Sequence, residues 1–296
     1  MSKSAGVRAH PVTQLLRVSW LLLPFLAGDV LGDALDERSG ALRTTATAMA
    51  WALWAAVMVA SLVRLPLALT VLRTWAPAAP VAVVAAVLAA DSVGPLAAVG
   101  AAVAALAAVL ACSGWVADDM VDGASYGDEH RFSLRAPASL LVGPLPLAVV
   151  LCWSVVCGPM LLASKQWVSG ALVTLVSVAV AALATRSIHS LSTRSLVFVP
   201  AGVTLVDPLS LVDSVLIGRS RLLSLGPAEA DTDALDLSGG ALGLALEARC
   251  TTPLEVTTRS GRKEGEAGST SGLVFTPARP AAVLAEAARR KLITAS

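Results

Sequence analysis

Long uncharged apolar runs fill the first part of the chain, and short alternating runs follow them. A helix needs about 20 mostly apolar residues to cross a bilayer, so runs of that length predict where the chain spans one. Residues 44–63 and 166–185 each give 20 positions without a charge, and residues 136–164 give 29. Residues 18–28 are a shorter run between Arg17 and Asp29, lengthened by residues 12–18 and 30–31 if Arg17 snorkels to the interface. Lys3 and Arg8 ahead of it also fit a secretory signal, but no Ala-x-Ala site follows and later spans favour retention. Residues 74–117 hold a single charge, Asp91, beside Gly94-Pro95. An Asp at the centre of a lipid-exposed helix costs roughly 2.5–3.5 kcal/mol, and Gly-Pro is a natural break. Two helices joined outside the lipid therefore cost less than one, and six spans result.

After Arg186 no uncharged run is long enough to cross, and 11 basic and 11 acidic residues fall between 187 and 296. Residues 1–186 therefore read as a membrane domain and 187–296 as a soluble one. β-type runs lie at 195–199, 203–206, 214–217, 242–246, 254–258 and 273–275. Pro200-Ala201-Gly202 suits a type I turn, predicting a hairpin from the first two runs. Residues 259–272 read as a mobile loop, rich in Gly, Ser, Glu and Lys. In residues 281–291, Val283, Leu284, Ala287 and Ala288 share one face, continued by Leu292, and Arg289, Arg290 and Lys291 favour a helix C-terminus.

Composition sharpens the division. The 296-residue chain is 56% hydrophobic and 15% charged, against roughly 25% charge in soluble domains, and its mean hydropathy of +0.74 excludes a soluble enzyme. A net charge of +1 provides no field to draw nucleic acid. Cys112, Cys152 and Cys157 lie in apolar runs, no Cys-x-x-Cys pair occurs, and with Cys250 they read as small core residues. Alternate loops differ in Lys and Arg. Lys3, Arg8, Arg17, Arg64, Arg73, Arg131, Arg135, Arg186 and Arg194 fall on one side and Arg38, Arg43 and Lys165 on the other, placing both termini in the cytoplasm of a plasma-membrane protein. Most of the seven Trp residues lie near span ends as interfacial anchors, although Trp51 and Trp54 could equally face a neighbouring helix.

The order of strands closed by one helix in the last hundred or so residues resembles the pleckstrin-homology-like domains of bacterial membrane proteins. That resemblance implies a bent sheet plugged by the helix, and docking of partners or lipid heads. The tail has zero net charge and no Lys/Arg cluster in one strand-loop unit, which disfavours a polyphosphoinositide site and favours a protein. Through Asp122-Gly123-Ala124-Ser125-Tyr126-Gly127-Asp128-Glu129-His130-Arg131-Phe132 and Leu196-Val197-Phe198-Val199-Pro200-Ala201-Gly202, the whole chain is similar to uncharacterised multi-pass membrane proteins of actinobacteria. That similarity implies no particular activity.

One stretch invites chemistry. Asp118-Asp119-Met120-Val121-Asp122 is a DDxxD string, whose carboxylates at a helix end can hold Mg²⁺ on a diphosphate, as in polyprenyl transferases. Arg131 and Arg135 in the same loop could neutralise phosphate. Against this, such enzymes need a second acidic motif on the same side, and Asp29, Asp33, Asp36 and Glu37 are predicted on the opposite face. Asp122-Gly123 opens the CDP-alcohol phosphotransferase signature, but its later positions are missing. A salt-bridged connector is the simpler reading, and His130 and His189 read as solvated. The Ala- and Gly-rich residues 97–111 allow close helix approach and one wall of a larger complex. The expected protein is thus a non-enzymatic anchor in the lipid bilayer whose tail docks a protein partner, with no cofactor. A small-solute or lipid transporter is the alternative, and a Mg²⁺-dependent enzyme on a phosphorylated lipid, using Asp118, Asp119 and Asp122, the second alternative.

Overall fold

The computed structural model describes residues 9–90, 94–259, 265 and 267–292. Among the described residues, six helical stretches are long and apolar enough to cross a membrane: Pro11–Asp36, Gly40–Leu62, Pro66–Ala89, Pro95–Cys112, Ala138–Ala163 and Trp167–Ser192. The elements run α1 (Pro11–Asp36), α2 (Gly40–Leu62), α3 (Pro66–Trp75), α4 (Ala78–Ala89), α5 (Pro95–Cys112), α6 (Gly114–Asp122) and β1 (His130–Ser133). There follow α7 (Ala138–Leu141), α8 (Pro144–Trp153), a 3₁₀ turn at Ser154–Val156, α9 (Cys157–Ala163) and α10 (Trp167–Ser192). Strands β2 (Ser195–Val199), β3 (Gly202–Val206), β4 (Val215–Gly218), β5 (Leu222–Pro227), β6 (Leu235–Asp236), β7 (Leu246–Thr257) and β8 (Ala267–Phe275) precede α11 (Pro280–Arg289). The chain divides into two units, Met1–Met120 with Leu147–Ile188, and Val121–Pro146 with His189–Ser296.

The helical unit agrees with the six expected spans, with several boundaries moved: α1 runs on through Asp29 and Asp33 to Asp36, and the sixth span continues past Arg186 to Ser192. The third span starts at Pro66 rather than at residue 74, because a charge-free window stops at Arg73 whereas the helix carries Arg73 within it. Pro66 suits the first helical position, and Pro77, lacking an N–H, marks the step from α3 to α4. The proposed break at Asp91 lies outside the described residues, as do Lys3 and Arg8 of the charge tally; α5 restarts at Pro95. Arg17 bonds to the last turn of α2. Its Nε and Nη2 donate to the Ser61 carbonyl at 2.9 and 2.6 Å, satisfying the charge on a neighbouring helix.

Backbone groups freed inside this unit are recaptured by indoles. Pro24 inside α1 cannot donate to the Trp20 carbonyl one turn before it. The Trp54 indole N–H does so instead, at 2.9 Å, and the Trp20 indole returns a bond to the Trp54 carbonyl at the same distance. The Trp153 indole donates to the Thr74 carbonyl, at the end of α3, at 2.7 Å. Trp54 and Trp153 thus face neighbouring helices, satisfying groups that lipid cannot. Helices close up at small residues: a Cβ on Gly100 would lie 2.7 Å from the Leu26 carbonyl oxygen, and one on Gly158 only 2.1 Å from the Thr174 hydroxyl. Cys152 is buried with its Sγ 3.5 Å from the Thr185 hydroxyl, whereas Cys112 and Cys157 are exposed rather than in a core.

Among the described residues the second unit holds two four-stranded sheets, ordered β1-β2-β3-β4 and β5-β7-β8-β6, antiparallel except where β6 runs parallel to β8. The β2–β3 hairpin turns at Pro200-Ala201 as expected, pairing Val199 with Gly202. Gly202 is required by crowding, since a Cβ there would meet the Ile217 carbonyl oxygen at 2.1 Å. One core runs through both sheets and α11, including Leu134, Leu196, Phe198, Leu246, Phe275 and Val283. The bridge between Leu211 and Thr258 joins segments flanking different sheets.

Three expectations change here. The contiguous 187–296 tail is incomplete, because residues 121–146 belong to the same unit and β1 within them pairs with β2, His130 opposite Phe198 and Ser133 opposite Ser195. The run 242–246 is a loop up to Leu246, where β7 begins. Gly239, Gly240 and Gly243 have φ of +59°, +68° and +120°, which a pleated strand does not accommodate. Finally, residues 267–272 of the expected mobile loop are strand β8, while most of residues 260–266 lie outside the described residues. The β1–β2 pairing also bears on topology. Between the two strands lie two stretches long and apolar enough to cross a membrane, Ala138–Ala163 and Trp167–Ser192, an even number that is compatible with the strands meeting on one side.

Candidate functional site

The acidic string lies on α6, whose residues divide between the two units. In the helical unit Asp118 and Asp119 are buried. Arg64 Nη2 lies 2.9 Å from Asp119 Oδ1, Arg64 Nε donates to the Asp119 carbonyl at 3.2 Å, and the His10 backbone N–H donates to Asp119 Oδ2 at 3.3 Å. The His10 ring stacks on Trp115 with centroids 4.6 Å apart. Asp119 thus ties the start of α1 and the second residue after α2 to α6. Arg64 thus has a structural partner that a simple loop charge count does not assign.

In the sheet unit Asp122 shapes the connection into β1. Its Oδ1 accepts from the Ser125 hydroxyl at 2.8 Å and from the Arg131 backbone N–H at 2.9 Å, and His130 Nδ1 lies 3.6 Å away. His130 is thus beside a carboxylate. Arg131 pairs with Glu129 at 3.1 Å. Among the described residues no group of three or more His, Cys, Asp or Glu side chains is placed to hold a metal ion. The support for Mg²⁺ at Asp118, Asp119 and Asp122 therefore remains the sequence string itself.

A buried polar node centres on Arg194, whose charge in the sequence falls among the loop cations. Arg194, two residues after α10, is 1% exposed and its partner Asp207 is fully buried. Arg194 Nε and Nη2 donate to the two Asp207 carboxylate oxygens at 2.8 and 2.7 Å, a bidentate geometry. Two further N–H groups reach the Arg135 carbonyl at 2.6 Å and the Leu237 carbonyl at 3.1 Å. Asp207 also accepts the Leu209 N–H at 3.1 Å. The node clamps three separate segments, 135, 194 and 237, around one buried charge pair. An Arg beside an apolar strand run and an Asp before Pro208 were the available signals, and a solvated face carries the same signals.

A shallow groove of about 410 Å³ is lined by Gly127, Asp128, His130, Pro200, Arg289 and Arg290. Glu286 binds both arginines, at 2.6 Å to Arg289 Nη2 and 2.5 Å to Arg290 Nε. Burial alone would raise the Glu286 carboxyl, but these hydrogen bonds and the charge of His130 outweigh it and hold the carboxyl below its usual range. Arg290 also donates to the Asp128 carbonyl and lies over the Phe198 ring, 5.8 Å from its centroid. The groove is thus a firmly held, charge-balanced surface, suited to polar recognition. Comparison with family models, with curated proteins and with solved structures finds no match to this chain.

Proposed function

We propose that this chain is a multi-pass plasma-membrane anchor with both termini in the cytoplasm, whose sheet unit docks a protein partner. The reading rests chiefly on the ordered groove at His130, Arg289 and Arg290, held by Glu286 in a unit built from two chain segments. Two sheets closed by α11 support a pleckstrin-homology-like architecture, akin to that of the actinobacterial membrane proteins the sequence resembles. The excess of Lys and Arg in alternate loops supports the cytoplasmic orientation. The carboxylates of Asp119 and Asp122 serve as structural acceptors, consistent with a scaffold.

Photo-crosslinking tests this reading in the full chain within its native membranes. With crosslinkers at Asp128 and at Arg289, the same protein should be captured from both positions, and Arg290→Glu should abolish its capture from Asp128. Adducts formed only with lipid, or capture unaffected by Arg290→Glu, would contradict docking at this groove.

A further inference from the structure

Residues 237–246 carry no charge and are bracketed by Asp236 and Glu247. Within them Leu242 and Leu244 are 66% and 49% exposed, although Leu237 and Leu246 at the two ends are buried. The loop is firmly built. The Leu237 N–H bonds the Val274 carbonyl at 2.9 Å, the Ser238 N–H bonds Asp236 Oδ1 at 2.7 Å, and the Gly240 N–H bonds the Ser238 hydroxyl at 3.2 Å. Its leucines are therefore presented outward by an ordered turn.

The position of this turn within its unit identifies what it meets. Gly239 packs against Pro137, where an added Cβ would lie 2.9 Å from the proline ring, and Gly243 packs against the Arg135 side chain, 3.3 Å by the same measure. Arg194 fixes the arrangement by binding the Arg135 and Leu237 carbonyls together. The residue after Pro137 is Ala138, the first of the apolar span Ala138–Ala163. The exposed leucines are thus carried by a loop seated on the three residues that lead into the membrane. The polar interface adds about 5–8 Å to each side of the hydrocarbon core, so a loop touching that point lies at headgroup depth. There, exposed leucine is stabilised by lipid, and a cation such as Arg135 by lipid phosphate.

We propose that residues 239–244 form a lipid-facing wedge. Leu242 and Leu244 enter the bilayer interface beside Arg135 and Pro137, and hold this face of the sheet unit on the membrane. The occupant is the lipid surface, and the inference does not depend on the protein-docking reading of the groove.

Spin labels test it in the full chain, with the four native cysteines replaced by alanine, in vesicles of phosphatidylcholine and phosphatidylglycerol. Single labels at Leu242→Cys and Leu244→Cys should be relaxed preferentially by oxygen, which concentrates in lipid. A label at Leu216→Cys, an exposed leucine on β4, should be relaxed preferentially by a water-soluble nickel chelate. The oxygen-to-nickel ratio should differ several-fold between the loop and β4. Equal ratios would overturn the proposal, and so would shielding of the loop from both reagents, which would indicate burial against a second copy of the chain. If either leucine substitution impairs folding, Ala241→Cys and Ala245→Cys report on the same loop.

Discussion

The two units bury opposite things. In the helical spans only 6% to 33% of each most apolar stretch is buried within the structure, and Phe25, Leu88 and Val168 are 73%, 81% and 77% exposed. In the sheet unit Phe198, Leu246 and Phe275 are at most 1% exposed, and a charge pair, Arg194 with Asp207, is buried with them. Lipid removes the hydrophobic drive that would bring apolar helices together, so backbone capture and close approach at Gly100 and Gly158 hold that unit. Water restores the drive in the sheet unit, where one core extends through both sheets.

Breaking the buried pair should have the largest effect. Arg194→Ala leaves Asp207 buried without its countercharge and frees the Arg135 and Leu237 carbonyls, which should cost about 3–5 kcal/mol. Limited proteolysis of the full chain should then cut the sheet unit while the spans stay protected. Replacing both partners by leucine should be markedly less damaging than the single change.

Overpacking the helices comes next. Gly158→Leu drives a side chain into Thr174 and should cost about 1–3 kcal/mol, read as a lower unfolding midpoint in mixed detergent micelles. The indole bond gives a smaller and sharper test. Trp54→Phe strands the Trp20 carbonyl that Pro24 has freed and should cost about 0.6–1.7 kcal/mol, as hydrogen bonds between membrane helices do. Adding Pro24→Ala supplies a backbone N–H to that carbonyl and should return much of the loss. An unchanged deficit in the double variant would disprove the exchange.

The smallest effect is set by pH. Because the folded-state value of Glu286 is lowered, its pairing with Arg289 and Arg290 contributes stability above the ordinary carboxylate range, and this is lost as the pH falls through the lower folded value. Glu286→Gln should flatten this acid-side decline of the thermal midpoint and lower the midpoint at neutral pH.

The spans were legible because lipid imposes a length and a polarity that a single sequence displays, and their ends were displaced where helices carry charges within them, at Arg73, at Asp29 to Asp36 and at Arg186. Strands β2 and β3 were legible through alternation and Pro200-Ala201-Gly202. Strand β1 was not, since His130-Arg131-Phe132-Ser133 offers one apolar residue and finds its partner in β2, beyond two membrane spans. The candidate acids were visible as a string, but their engagements are long-range: Asp119 meets Arg64 and His10, far from it in sequence. Arg194 was visible only as a charge, because its burial depends on carbonyls at positions 135 and 237.

The central claim is that the segment ahead of the fifth span and the segment after the sixth form one unit on one side of a membrane. Single cysteines at Tyr126, Glu255, Arg38 and Lys165, in a chain lacking its native cysteines, can be probed in oriented vesicles with a membrane-impermeant thiol reagent. The account predicts that positions 126 and 255 react from the same side and positions 38 and 165 from the other. Reaction of 126 and 255 from opposite sides would contradict it.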